Sequence, residues 1–226
     1  MLGRTILSVL ALGAAGVLAA PSSFLQTRAI KERCAAPEPP ASLVDFDRKL
    51  LNARRSPDGL SFPSANETLE INTFFHYVSL SDASNNTDVD AQLGAQLAKM
   101  NNDFAGMDVS FKLVDTTKTV NSVWAIGEDD LGMKSALRQG SYADLNVYFL
   151  SNLNPQLLGF CYFPEDAAPD SDTFTLDGCV VQAESMPGGQ IPDYNLGATA
   201  THEIGHYLGL FHVFQGQSCT VRIGLI

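Results

Sequence analysis

Residues 202–212 read His-Glu-Ile-Gly-His-Tyr-Leu-Gly-Leu-Phe-His, and no other run constrains the fold of this chain as tightly. On a helix, His202 and His206 project from one face, close enough for both imidazoles to ligate one metal ion. Glu203, beside the first histidine, can reach a water held at such an ion and accept its proton. Gly209 tolerates a backbone conformation that strains other residues, so the chain can leave the helix there and turn to bring in His212 as third ligand. The run therefore requires a helix, a glycine turn and a returning histidine, in that order, with a fourth coordination position left open.

Three nitrogen ligands with an open position suit catalytic zinc, whereas structural zinc more often closes its site with thiolates. The pattern HExxH alone recurs in unrelated helices. Here only 4 histidines occur in 226 residues, and three of them fall at the required positions, which makes coincidence a poor explanation. The remaining one, His76, lies in a buried-looking strand and reads as a structural residue.

The rest of the chain supplies the setting. With 45% hydrophobic and 17% charged residues it suits one medium-sized globular domain. The formal net charge of -11 repels phosphate backbones and anionic membrane surfaces, so neither nucleic acid nor a membrane is expected as a partner. Residues 1–20 combine Arg4, an apolar run from Ile6 to Leu18, and Ala19 and Ala20 ahead of Pro21, the pattern of a secretory signal peptide. That run is shorter than the roughly 20 apolar residues needed to cross a bilayer. A secreted, extracellular, monomeric protein is expected. The sequons at Asn66 and Asn85 fit glycosylation on exposed loops.

Residues 21–63 read as a prosegment or N-terminal arm with a helical patch over Leu43 to Arg54. Leu69 to Leu80 is rich in β-branched and aromatic residues and predicts a buried strand. Val89, Leu93, Leu97, Met100 and Phe104 recur at helical spacing. Alternation at Val109, Phe111 and Leu113 and again at Leu145, Val147 and Phe149, together with the short apolar Val123 to Ile126, predicts three more strands and a mixed sheet. Ala198 onward is helix-forming. The acidic loop carrying Glu165, Asp166, Asp170, Asp172 and Asp177 reads as solvated, because its spacing matches no calcium-loop template. Trp124 and Met133 read as core. The chain has no GxSxG elbow, and no other nucleophile can be singled out with a plausible base, so serine or cysteine hydrolase chemistry has no support.

Four cysteines allow three complete pairings. Cys161 and Cys179 flank one loop between expected strands, which favours a bridge there. Cys34 and Cys219 could then pair with each other.

The segments INTFFHYVSL, LGFCYFP, DGCVV and YNLGATATHEIGHYLGLFHVFQG, spread over roughly residues 69–217, resemble the pappalysin-like metzincins, specifically the small secreted fungal metalloproteases among them. The resemblance implies an α+β fold with a mixed twisted sheet, a backing helix and an active-site helix. It also implies Zn2+ on His202, His206 and His212, Glu203 as the catalytic base, and hydrolysis of internal bonds in an extended peptide or protein substrate. An edge strand that holds such a peptide is expected around Val180 and Val181. On this basis residues 64–226 form the metallopeptidase catalytic domain. No methionine follows Met186, so the Met-containing turn and most of the lower subdomain are expected to be missing. The competing function is a truncated secreted protein that binds zinc without turnover. Glu32-Arg33-Cys34-Ala35 resembles the Arg-Cys-Gly of some pappalysin prosegments, in which a cysteine occupies the open zinc position, with Ala35 in place of the glycine. This cysteine-switch reading stands beside the disulfide to Cys219.

Overall fold

The computed structural model describes residues 32–55, 69–81 and 87–212. The signal peptide, the sequon asparagines Asn66 and Asn85, Cys219 and the chain after His212 lie outside these residues. Among them the strands are β1 (Glu32–Cys34), β2 (Leu69–Ser79), β3 (Val109–Val120), β4 (Leu145–Leu150), β5 (Leu157–Cys161) and β6 (Cys179–Gln182). They form one sheet in the spatial order β1-β5-β6-β4-β2-β3. Every pairing is parallel except β5 with β6, which is antiparallel. The helices are α1 (Ala41–Arg55), α2 (Thr87–Phe104), α3 (Asp130–Leu137), α4 (Asp172–Leu176) and α5 (Ala198–Tyr207).

The continuous apolar run of β2 follows from its place. It is hydrogen-bonded to β3 and β4, and from Thr73 to Ser79 every side chain is buried, because helices or turns cover both faces of a parallel sheet. Side-chain alternation sorts β4 onto two faces. Val147 and Phe149 join Ile71, Phe75 and Tyr77 of β2 beneath α2 and α5, where Val89, Leu93, Met100, Ala200 and Ile204 complete the main core. Phe75 and Phe149 meet edge to face at 5.2 Å, and truncating such a buried ring costs about 3–5 kcal/mol. Tyr148 and Leu150 face the other way, against Val78, Ala125, Met133 and Val180. His76 is buried between the layers, its Nδ1 2.8 Å from Thr117 Oγ1, its Nε2 2.9 Å from Asn146 Oδ1, and its ring stacked on Tyr148.

Three expectations are corrected. Val123 to Ile126 is no strand: Trp124–Ile126 is a 3₁₀ turn, because the Asn121 side chain accepts the N–H groups of Val123 and Trp124 and Gly127 closes the turn at φ 85. The local side-chain hydrogen bonds outcompete the ladder. Val180 and Val181 are not at an edge, since β6 is buried between β4 and β5. Asp177 is not part of a solvated loop: it is buried, with its Oδ2 3.2 Å from Arg138 Nη2.

Candidate metal centre

α5 starts at Ala198 after its N-cap Gly197, whose φ of 80 is a left-handed conformation that favours glycine. Its inward face buries Ala200 and Ile204 in the main core and carries Glu203 and His206 with them. The helix ends where Gly209, at φ 85, donates its N–H to His206 O and Leu210 donates to Gly205 O. This left-handed exit turns the chain back over the helix. His212 thereby arrives with its Nε2 3.1 Å from those of both His202 and His206, which are themselves 3.2 Å apart.

Four zinc–nitrogen or zinc–sulfur bonds in a tetrahedron, with Zn–N of about 2.0–2.1 Å, put ligand nitrogens about 3.3–3.4 Å apart. The three imidazoles are close to that spacing. His206 Nδ1 lies 2.7 Å from the Leu210 carbonyl oxygen, which can only accept, so Nδ1 carries the proton and Nε2 presents its lone pair. Phe163 packs its ring against that imidazole at 5.3 Å. Burial, with help from the neighbouring histidines, lowers the His206 pKa to about 4, and burial also lowers that of His202. Neutral rings are the ligating form. The donor set thus fits a borderline-soft divalent cation such as zinc.

Glu203 is fully buried. Burial pushes its carboxyl up to about 8, opposed by a hydrogen bond from Cys34. The Cys34 thiol donates to Glu203 Oε2 at 3.3 Å, while Oε1 has no partner among the described residues. Burial first, and the Glu203 charge second, push the thiol up to about 12. Ligand atoms of Cys34, His202, His206 and His212 all lie within 4.8 Å of one another. Residue 34 reaches the site on β1, which runs parallel to β5 with Cys34 opposite Gly159, and Ala35 N–H bonds to Gly159 O at 3.1 Å.

A cavity of 310 Å³ adjoins the cluster, lined by Leu158, Leu196, Ala198, Asp193, Tyr194 and Thr199 as well as His202 and Glu203. A larger cavity of 570 Å³ lies between α2 and residues 183–190, so size alone would not have found the site. Sequence reasoning identified the histidines and Glu203 from their spacing, and placed Cys34 by resemblance. It missed the role of β5, because nothing in five apolar residues states which strand neighbours α5.

Among known proteins, a peptidase family model described as pregnancy-associated plasma protein-A matches residues 138–224. An extracellular metalloprotease of Colletotrichum graminicola is 43% identical over 188 residues, which is 83% of this chain and 66% of the relative. One from Uncinocarpus reesii is 52% identical over 143 residues, 63% of this chain and 53% of the relative. One from Pyricularia oryzae is 39% identical over 216 residues, 94% of this chain and 72% of the relative. The chain spans between about half and two thirds of the length of several such relatives. No helix among the described residues is long and apolar enough to cross a membrane.

Proposed function

Because the chain belongs to the pappalysin-like extracellular metalloprotease family, we propose that it is a secreted zinc metalloendopeptidase precursor, acting as a monomer on extended peptide or protein substrates. The observation that carries this reading is the convergence of three imidazole nitrogens within 3.2 Å beside a buried carboxylate with one unpartnered oxygen. His202, His206 and His212 would hold the ion. When bound, zinc supplies Lewis acidity toward a carbonyl and lowers the pKa of a water.

The chain's own residues do the rest. Glu203 takes a proton from a water at the cluster and returns it to the leaving amine. His206 is held in one tautomer by Leu210 O, so its ring does not swing as charge develops. The cavity beside Glu203 is walled by Leu158, Leu196 and Ala198 together with Asp193 and Tyr194, and can receive a substrate side chain next to the bond that is cut.

Residues 21–63 act in this reading as an inhibitory prosegment. β1 covers the free side of β5, and Cys34 Sγ clusters with the three imidazoles, all four ligand atoms within 4.8 Å of one another, which supports the cysteine switch over a disulfide to Cys219. Removing the arm would expose β5 as the edge to which a substrate backbone adds. The test is peptide cleavage by the whole secreted chain carrying Cys34→Ala, loaded with zinc, beside the same chain with Glu203→Ala. Chelator-sensitive cleavage by the first alone is expected. Zinc binding with no cleavage by either would leave only a zinc-binding protein.

A further inference from the structure

Gly159 lies in β5 opposite Val181 on one side and Cys34 on the other. Its backbone demands nothing that other residues lack, since it is not among the glycines with positive φ. What the position refuses is a side chain. A β carbon there would stand 2.8 Å from the Val180 carbonyl oxygen, 3.0 Å from Glu203 Cγ and 3.4 Å from Glu203 Cδ. Val180 belongs to a strand paired on both sides, so its carbonyl cannot yield and β5 itself must shift, while the contact with the Glu203 side chain is relieved by displacing the carboxylate.

The Glu203 side chain is poorly anchored otherwise. Its Oε1 has no hydrogen-bond partner among the described residues, and its Oε2 has the Cys34 thiol, which belongs to the N-terminal arm. Once that arm is gone, no hydrogen bond among the described residues locates the carboxylate, and packing must do so. We propose that Gly159 is a positioning residue for Glu203: its missing β carbon lets β5 pass close enough to α5 to hold the carboxylate in line with the three imidazole nitrogens. This rests on the reading of Glu203 as the base.

The experiment compares Gly159→Ala with Phe160→Ala in the whole secreted, zinc-loaded chain carrying Cys34→Ala, so that the arm's thiol neither holds Glu203 nor blocks the site, following kcat, KM, zinc content and Tm. Phe160 packs in β5 on the layer away from the main core, so it reports what loosening the strand does by itself. A carboxylate misplaced by about 1 Å costs on the order of a hundredfold. Gly159→Ala is expected to lose about that much in kcat with KM changed by less than about threefold and zinc retained, whereas Phe160→Ala loses Tm with little change in kcat. The proposal is overturned if Gly159→Ala keeps kcat within about threefold of the parent, if it loses zinc in step with activity, or if Phe160→Ala loses as much kcat for the same drop in Tm. If the Cys34→Ala parent shows no Glu203-dependent cleavage, the peptidase reading fails and positioning is read, in chains that keep Cys34, from alkylation of its thiol. A rate altered at least about tenfold by Gly159→Ala but not by Phe160→Ala keeps Gly159 as the determinant of the carboxylate position; equal rates sink it.

Discussion

Cys34 Sγ lies 3.3 Å from Glu203 Oε2 across 169 residues of sequence. A thiol hydrogen-bonded to the proposed base, and within 4.8 Å of all three imidazoles, competes for the space that a reacting water would need in the proposed mechanism. Cys34→Ala should therefore raise peptide cleavage by the unprocessed chain at least about tenfold, which corresponds to losing roughly 1.4 kcal/mol of inhibitory contact. Cleavage no faster than that of the parent, or a Cys34–Cys219 disulfide found by peptide mapping, would remove the switch.

Glu203→Gln keeps the shape of the side chain, and so its packing against Gly159, but cannot accept a proton. General-base catalysis contributes about 10²–10⁴-fold. A loss of that order in kcat with zinc content unchanged is expected. A variant that cleaves as fast as the parent would show that another group takes the proton.

The disulfide between Cys161 and Cys179 closes a loop of sequence separation 18 and joins β5 to β6 at a paired position. Loops of about this length contribute roughly 3 kcal/mol by the chain-entropy estimate. The double variant Cys161→Ala/Cys179→Ala should lose about that much stability in denaturant titration, and it should lose activity through the altered seat of β5. Unchanged stability would mean that the β5–β6 ladder suffices alone.

The sequence was most legible where one physical demand dominated. The burial of β2 on both faces wrote itself as LEINTFFHYVS, and the face of α2 that meets the sheet wrote itself as Val89, Leu93, Met100 and Phe104, all buried. The zinc-type spacing made the α5 turn readable because Gly209 and three histidines have few other uses together. Edges were illegible: Val180 and Val181 look the same in sequence whether a strand is central or outermost, and only the pairing of β1 on β5 decides it. Trp124–Ile126 misled for a different reason, since apolar periodicity over four residues carries less weight than one asparagine that satisfies two backbone N–H groups. The place of Gly159 was invisible too, because a glycine demanded by a neighbour 44 residues away leaves no local pattern.

Lys134 gives the last prediction. Its ammonium is fully buried, bonded to Leu176 O at 2.7 Å and 3.3 Å from Asp130 Oδ2, with the rings of Tyr162, Phe160 and Tyr148 at 4.5, 5.5 and 5.6 Å. Arg138 and Asp177 face it from the neighbouring ion pair. Burial lowers its pKa from 10.5 to about 8, opposed by the Asp130 charge. The folded protein thus releases this proton near pH 8 and the unfolded chain only near 10.5, so between those values the unfolded state binds more protons and stability rises with pH. The cost of burying the charge is fully present below pH 8 and is relieved on going up through the window, by on the order of 3 kcal/mol in total. Tyr148, Tyr162 and Tyr207, whose pKa values burial raises, oppose this only above about pH 10. The stability of the parent relative to Lys134→Met, measured by denaturant unfolding, should therefore climb between about pH 7.5 and about pH 9.5. A flat or falling difference would mean that the ammonium is held as well inside the protein as in water, with the carboxylates and the aromatic rings offsetting its burial in full.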